Sequence, residues 1–174
     1  MMPKINRILY ATDLSPNAEY AFRFAVNAAL KHDARIIMLH VMESVPSAMH
    51  LEMGLVMGDE QAKEIFEKRV RIALDRVKNR LKVFCEKELA GDPKGANRVQ
   101  RIEICEGYPA EEILKKADEL DCDAIVMGTH SKGFLENTFI GSVAKRVLRR
   151  TRKPVLIIPL PRGETDITFV DDES

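Results

Sequence analysis

The sequence predicts an α/β domain built on a doubly wound parallel sheet of five strands, and three observations carry that expectation. Between Ile5 and Pro159, short β-rich apolar runs alternate with longer amphipathic stretches, five of the first against four of the second. The breaks between them are glycine, proline, serine and aspartate, which turn a chain or cap a helix. The first three elements read strand, helix, strand, a βαβ unit that closes right-handed and makes its two strands parallel neighbours.

The chain has 174 residues, enough for one domain with a sizeable core, expected over residues 1–160, with 161–174 as an acidic, mobile tail. Its 27 basic and 27 acidic residues cancel, which leaves no global field for nucleic acid or an anionic membrane. No apolar run approaches the roughly 20 residues that a membrane span needs. MMPKINRILYATD lacks signal-peptide architecture, so a cytoplasmic protein is expected. Cys85, Cys105 and Cys122 stand singly in apolar segments and read as buried thiols of a reducing compartment.

In chain order, Ile5 to Ala11 is the first strand, ended by Thr12-Asp13-Leu14-Ser15-Pro16. Ser15 caps a helix and Pro16 fills its first position, where a missing N–H costs nothing. Ala18, Ala21, Phe22, Ala25 and Ala29 recur at helical spacing, so the helix runs to about Lys31 and packs close to the sheet. Arg35 to Val41 is the second strand. Met42 to Asp59, rich in methionine, reads as an irregular crossover insertion, with too few ligand types for a metal. Glu60 to about Leu89 is a long helix with Phe66, Val70, Ala73, Val77, Leu81 and Phe84 as its apolar stripe, and Arg69, Arg76 and Arg80 among the residues of its wet side. Gly91 to Gly95 ends it, and Val99 to Cys105 is the third strand. Pro109 opens a helix that turns Ala110, Ile113, Leu114, Ala117 and Leu120 inward. Ala124 to Met127 is the fourth strand. A helix from Ser142 to about Arg150 buries Ala144, Val147, Leu148 and Thr151, and Val155 to Ile158 is the last strand. The cations around that helix suit its C-terminal dipole, and with no aromatic residues among them they do not read as a nucleic-acid patch.

The chemistry concentrates in Ile125 to Val143, IVMGTHSKGFLENTFIGSV. A strand that empties into a glycine loop at Gly128 and restarts as a helix at Gly141 leaves first-turn amides unpaired at the positive end of a helix dipole. That arrangement holds phosphate, and Ser142 would add a hydroxyl beside the N-cap. GTHSKG has P-loop spacing, but Phe134 and Leu135 stand where lysine and serine or threonine belong, so no P-loop is present. A tight turn that binds nothing is the alternative reading. Asp13, at the carboxyl end of the first strand, is either a turn residue bonding its own backbone or a ligand-facing carboxylate across the switch point from Gly128.

Gly128, Gly141 and Ser142 match the pattern G-x2-G-x9-G-[ST] of the universal stress protein family, with Ser131 in place of the second glycine. The likeness extends through RILYATDLSPNAEYAFRFA, IIMLHV, EGYPAEEILKKA, DAIVMGTH and GSVAKRVLRRTRKPVLIIP, so the chain from Ile5 to Pro159 resembles that family outside the Met42 to Asp59 insertion. The resemblance implies a Rossmann-like sheet ordered 3-2-1-4-5 and a homodimer made by antiparallel pairing of Val155, Leu156, Ile157 and Ile158. It implies ATP with magnesium. Ala11, Thr12 and Asp13 would lie along adenine and ribose, the Val41 backbone would read the adenine edge, and Met127 and Gly128 would approach the ribose. Ser131, Gly141, Ser142 and Val143 would meet the phosphates, with His130 beside them and Gly133 absorbing strain left by Ser131. No catalytic residue is expected, since His130 and Ser142 lack an orienting carboxylate and a nucleophile elbow. An ATP-binding sensor, a nucleotide-free scaffold acting on an unknown protein partner, and a transferase remain as functional classes.

Overall fold

The computed structural model describes residues 2–43, 58–88, 94–129 and 140–159. Along the chain these form β1 (Arg7–Thr12), α1 (Pro16–His32), β2 (Arg35–Glu43), α2 (Asp59–Glu88), a 3-10 turn at Ala96–Arg98 and β3 (Val99–Gly107). α3 (Pro109–Glu119), β4 (Ala124–Gly128), α4 (Ser142–Arg150) and β5 (Val155–Ile158) follow. The strands make one parallel sheet in the order β3-β2-β1-β4-β5. Parallel strands need cover on both faces, which explains why Ile8, Leu9 and Tyr10 are consecutive and all buried.

Side-chain parity divides the core in two. Ile8, Tyr10, Ile36, Met38 and Val126 meet α1 and Val77 of α2. Leu9, Ile37, Leu39, Ile125 and Met127 meet α3 and α4. α1 presents Ala21, Ala25 and Ala29 to the sheet, each at most 1% exposed, so a smooth helix face lies close to the strands. Ser15 Oγ accepts from Ala18 N at 3.3 Å and fixes its start, and Asp33, at φ 54°, caps its end. At the opposite edge of the sheet Asp123 Oδ2 accepts from the backbone N–H groups of Asn6 and Arg7, at 2.7 and 2.9 Å, which locks the entry of β4 to that of β1.

Three sequence expectations are corrected. β2 runs two residues past Val41, because β3 pairs with it as far as Gly107. The apolar stripe of α2 is buried at its centre, at Ala73 and Val77 as expected, but Phe66 near its start is 37% exposed, and Arg69 and Arg80 of the expected wet side are partly buried. With 30 residues, α2 is about 45 Å long and overhangs strands of about 30 Å, so an apolar stripe cannot be covered along its whole length. On α4, Ala144 and Val147 are buried but Leu148 is 42% exposed, since a nine-residue helix on an edge strand has room inward for little more than those two. Among the described residues no helix is long and apolar enough to cross a membrane. The tail and residues 44–57 of the methionine-rich insertion lie outside them, while Met42 and Glu43 belong to β2 and Asp59 opens α2.

Burial pushes the Tyr10 phenol far above its ordinary value, and its hydroxyl donates to the Ala18 carbonyl. The unfolded chain releases that proton near pH 10 and the folded chain keeps it, so stability is full below about pH 10 and falls above it. Tyr10→Phe should cost about 1 kcal/mol at neutral pH and flatten the alkaline fall, as read from urea melts between about pH 8 and 11. Burial also pushes the Cys122 thiol up to about 11. Iodoacetamide at about pH 8 should leave Cys122 unmodified in the native protein and alkylate it after unfolding, as read by peptide mass spectrometry.

Candidate functional site at the sheet switch point

Chain order reverses between β1 and β4: β2 and β3 are laid to one side of β1, β4 and β5 to the other. The two strands end side by side there, with Ala11 opposite Met127, and in open parallel sheets this is the edge at which a ligand crevice forms. β1 then enters a tight turn in which Thr12 Oγ1 accepts from Leu14 N at 3.1 Å. Asp13 Oδ1 accepts from Ser15 N at 2.9 Å and from Ser15 Oγ at 2.6 Å. Asp13 therefore performs the turn-forming role, and its side chain remains exposed at the crevice.

The ladder between β1 and β2 ends at the pair Thr12 and His40, whereas β2 continues to Glu43 on its β3 side. The edge of Val41 that faces β1 has thus run past its ladder partner. Ala11, Val41 and Val143 all pack against the cluster that contains Met127, so four of the expected site residues share the α3 and α4 face of the sheet. Ile140 packs there too and was missed by sequence reasoning. Its signal was an apolar residue directly before the glycine of the helix start.

Two hydrogen bonds shape the loop ends. Thr129, only 6% exposed, donates its N–H to the Ile158 carbonyl at 3.1 Å, and its own carbonyl accepts from Gly141 N at 2.8 Å. The Gly141 N–H, expected among the groups that meet phosphate, is bonded to Thr129 in this structure. The amides of Ser142, Val143 and Ala144 begin the helix and have no intrahelical partner. Gly141 is the N-cap without a side-chain bond, and Ser142 is the first helical residue with its side chain exposed. His130, Ser131 and Gly133 lie outside the described residues.

Electrostatics single out this helix start. α1 and α3 carry Glu19, Glu111 and Glu112 in their first turns and α2 opens with Asp59 and Glu60, but α4 has no acidic residue there. Its dipole is thus not opposed by a carboxylate of its own first turn. Sterics agree. A Cβ built at Gly128 would meet Ala21 Cβ at 3.9 Å, an ordinary contact, so packing does not demand glycine at that point of the crevice. Among the described residues no three His, Cys, Asp or Glu side chains gather as a metal group.

These features define an open, doubly wound α/β domain whose chain order reverses between β1 and β4, with the start of α4 close to that switch point. The chain belongs to the Universal stress protein family, whose sequence model matches residues 4–159. Universal stress protein MJ0577 of Methanocaldococcus jannaschii is 32% identical over 156 residues, spanning 87% of this chain and 93% of its own. A solved structure of MJ0577 superposes with a TM-score of 0.66 at 28% identity, covering 92% of this chain and 100% of that one. A universal stress protein crystallised in complex with cAMP shares the fold, with a TM-score of 0.51 at 21% identity over 90% of this chain and 98% of its own.

Because the fold has room for a methyl at position 128, Gly128→Ala should shift the unfolding free energy by less than about 0.5 kcal/mol, measured by urea denaturation. A larger loss would mean that the glycine serves packing.

Proposed function

We propose that this protein binds ATP in the switch-point crevice and acts as a homodimeric, nucleotide-dependent regulatory module rather than as an enzyme. The observation that carries the reading is the coincidence of two halves of a nucleotide site at one place. Ala11, Val41, Met127 and Val143 supply an apolar surface on one sheet face, and the acid-free start of α4 supplies unpaired amides next to it. An adenine ring suits the first and a polyphosphate suits the second. In this reading the backbone of Val41 meets the base edge and Asp13 and Gly128 face the ribose. The amides of Ser142 and Val143, with the Ser142 hydroxyl, meet the phosphates. Magnesium would bridge phosphate oxygens and keep waters on its remaining positions, as it does without a protein cage. No side chain is assigned to activate a water, so hydrolysis is expected to be slow.

Dimerisation is assigned to β5. It is the sheet's terminal strand, four residues long, with Leu156 44% exposed, and a short apolar edge strand of this kind gains by pairing with a second copy. Leu156→Asp should convert a dimer into a monomer in light scattering at micromolar concentration. A parent protein that is already monomeric there overturns the assignment.

The nucleotide itself is tested by denaturing the purified protein, identifying any released adenine nucleotide by chromatography, and repeating with Gly141→Asp. Gly141 has φ −64° and ψ 163°, which any residue adopts, and aspartate is a favoured N-cap. The substitution should keep or raise thermal stability while placing a carboxylate where phosphate would sit. ATP from the parent and none from the variant is the expected outcome. A parent that releases none, and whose melting temperature does not respond to ATP with magnesium, would favour a nucleotide-free scaffold.

A further inference from the structure

On the other face of the sheet, between α2 and the ends of β1 and β2, lies a second cavity of about 240 Å³. Leu14, Met42, Ile72 and Ala73 supply its apolar surface. Arg69, Arg76 and His40 supply its polar groups, and among the described residues that line it none is acidic. We propose that this cavity is a binding site for a small organic anion, a carboxylate or phosphate monoester carrying a compact apolar body.

The arrangement follows from helix spacing. Arg69, Ile72, Ala73 and Arg76 stand at i, i+3, i+4 and i+7 of α2, so one stripe of the helix sets an apolar floor between two guanidinium groups. Among the described residues Arg69 is in an ion pair with Glu106, a long contact of 3.7 Å from Nη1 to Oε2, and its guanidinium presents five N–H donors in all. Ile72 is 46% exposed, a large apolar side chain left facing an open cavity. Opposite the helix, His40 Nδ1 is 2.9 Å from the Thr12 carbonyl. A carbonyl only accepts, so Nδ1 carries the proton and Nε2 is the nitrogen left to receive a ligand hydroxyl such as that of a monoprotonated phosphate.

Leu14 adds a second, independent mark. It is held at φ 62°, a left-handed conformation that leucine rarely adopts, while its N–H is fixed by Thr12 Oγ1. The same side chain packs on the α1 and α2 core and lines the cavity. Backbone strain retained beside a cavity is characteristic of ligand clamps. The site faces away from Ala11, Val41 and Met127, so it does not depend on the nucleotide reading.

The test uses phenyl phosphate as probe, titrated into the full chain labelled with 15N, with phenol and inorganic phosphate as separate controls. Saturable shifts at the amides of Leu14, His40, Ile72 and Ala73 are expected, with each half-ligand binding at least tenfold more weakly. Arg69→Gln combined with Arg76→Gln should weaken binding tenfold or more. Arg76→Gln alone touches an exposed residue and should still weaken it severalfold, which keeps the test valid if the double variant folds poorly. Gly141→Asp should leave the titration unchanged. The proposal is overturned if nothing saturates, as when the chain's own 44–57 segment fills the cavity, or if both arginine variants bind like the parent. It is overturned equally if Gly141→Asp abolishes the shifts, which would assign the probe to the switch-point crevice.

Discussion

The pairing of β1 on both sides at once is the constraint on which the rest of this molecule depends. β2 and β4 each bond to it in parallel, so β1 must be apolar on both faces, and Ile8, Leu9 and Tyr10 are. Parallel pairing also forces every strand to exit at the same edge, because each crossover must return to the opposite edge before the next strand begins. The reversal of chain order across β1 sends the connections that follow β1 and β4 to opposite sides of the sheet, which is how a switch point arises. The crevice is thus a consequence of topology, and its chemistry comes from whichever residues end β1 and β4.

Two local devices hold the crevice in shape. The Thr12 to Ser15 turn is closed by the side chains of Thr12 and Asp13, which bond the amides of Leu14 and Ser15. The ends of the loop after β4 are tied by Thr129, whose N–H and carbonyl reach Ile158 and Gly141. Buried backbone groups must be paired, and Thr129 pairs both of its own while presenting a helix start to solvent. The Gly141 amide is used in that closure, which moves the available donors one residue along, to Ser142 and those after it.

The two faces of the sheet diverge in character. On the α3 and α4 side, apolar residues run from the buried core at Leu9, Ile125 and Met127 out to the partly buried Ala11, Val41 and Val143. On the α1 and α2 side, the long helix overhangs the sheet and brings arginines to the ends of β1 and β2. Leu14 lies between these environments, its strained backbone at the exit of β1 and its side chain directed to the α2 side.

Element types and order were written in the sequence, because they rest on local spacing. Alanine at every third or fourth position made α1, serine before proline marked its start, and continuous apolar runs marked the buried strands. The strand order was legible through the family resemblance of the whole chain, and Ala11, Val41 and Met127, which that resemblance also named, do share one face of the sheet. What tertiary structure alone decided involves distant partners. The partial burial of Arg69 and Arg80 depends on what α2 packs over, and the exposure of Leu148 and Phe66 on how far cover extends. The occupation of the Gly141 amide depends on Thr129, twelve positions earlier. Periodicity reports which residues share a side of an element; it carries no information about what lies across from them.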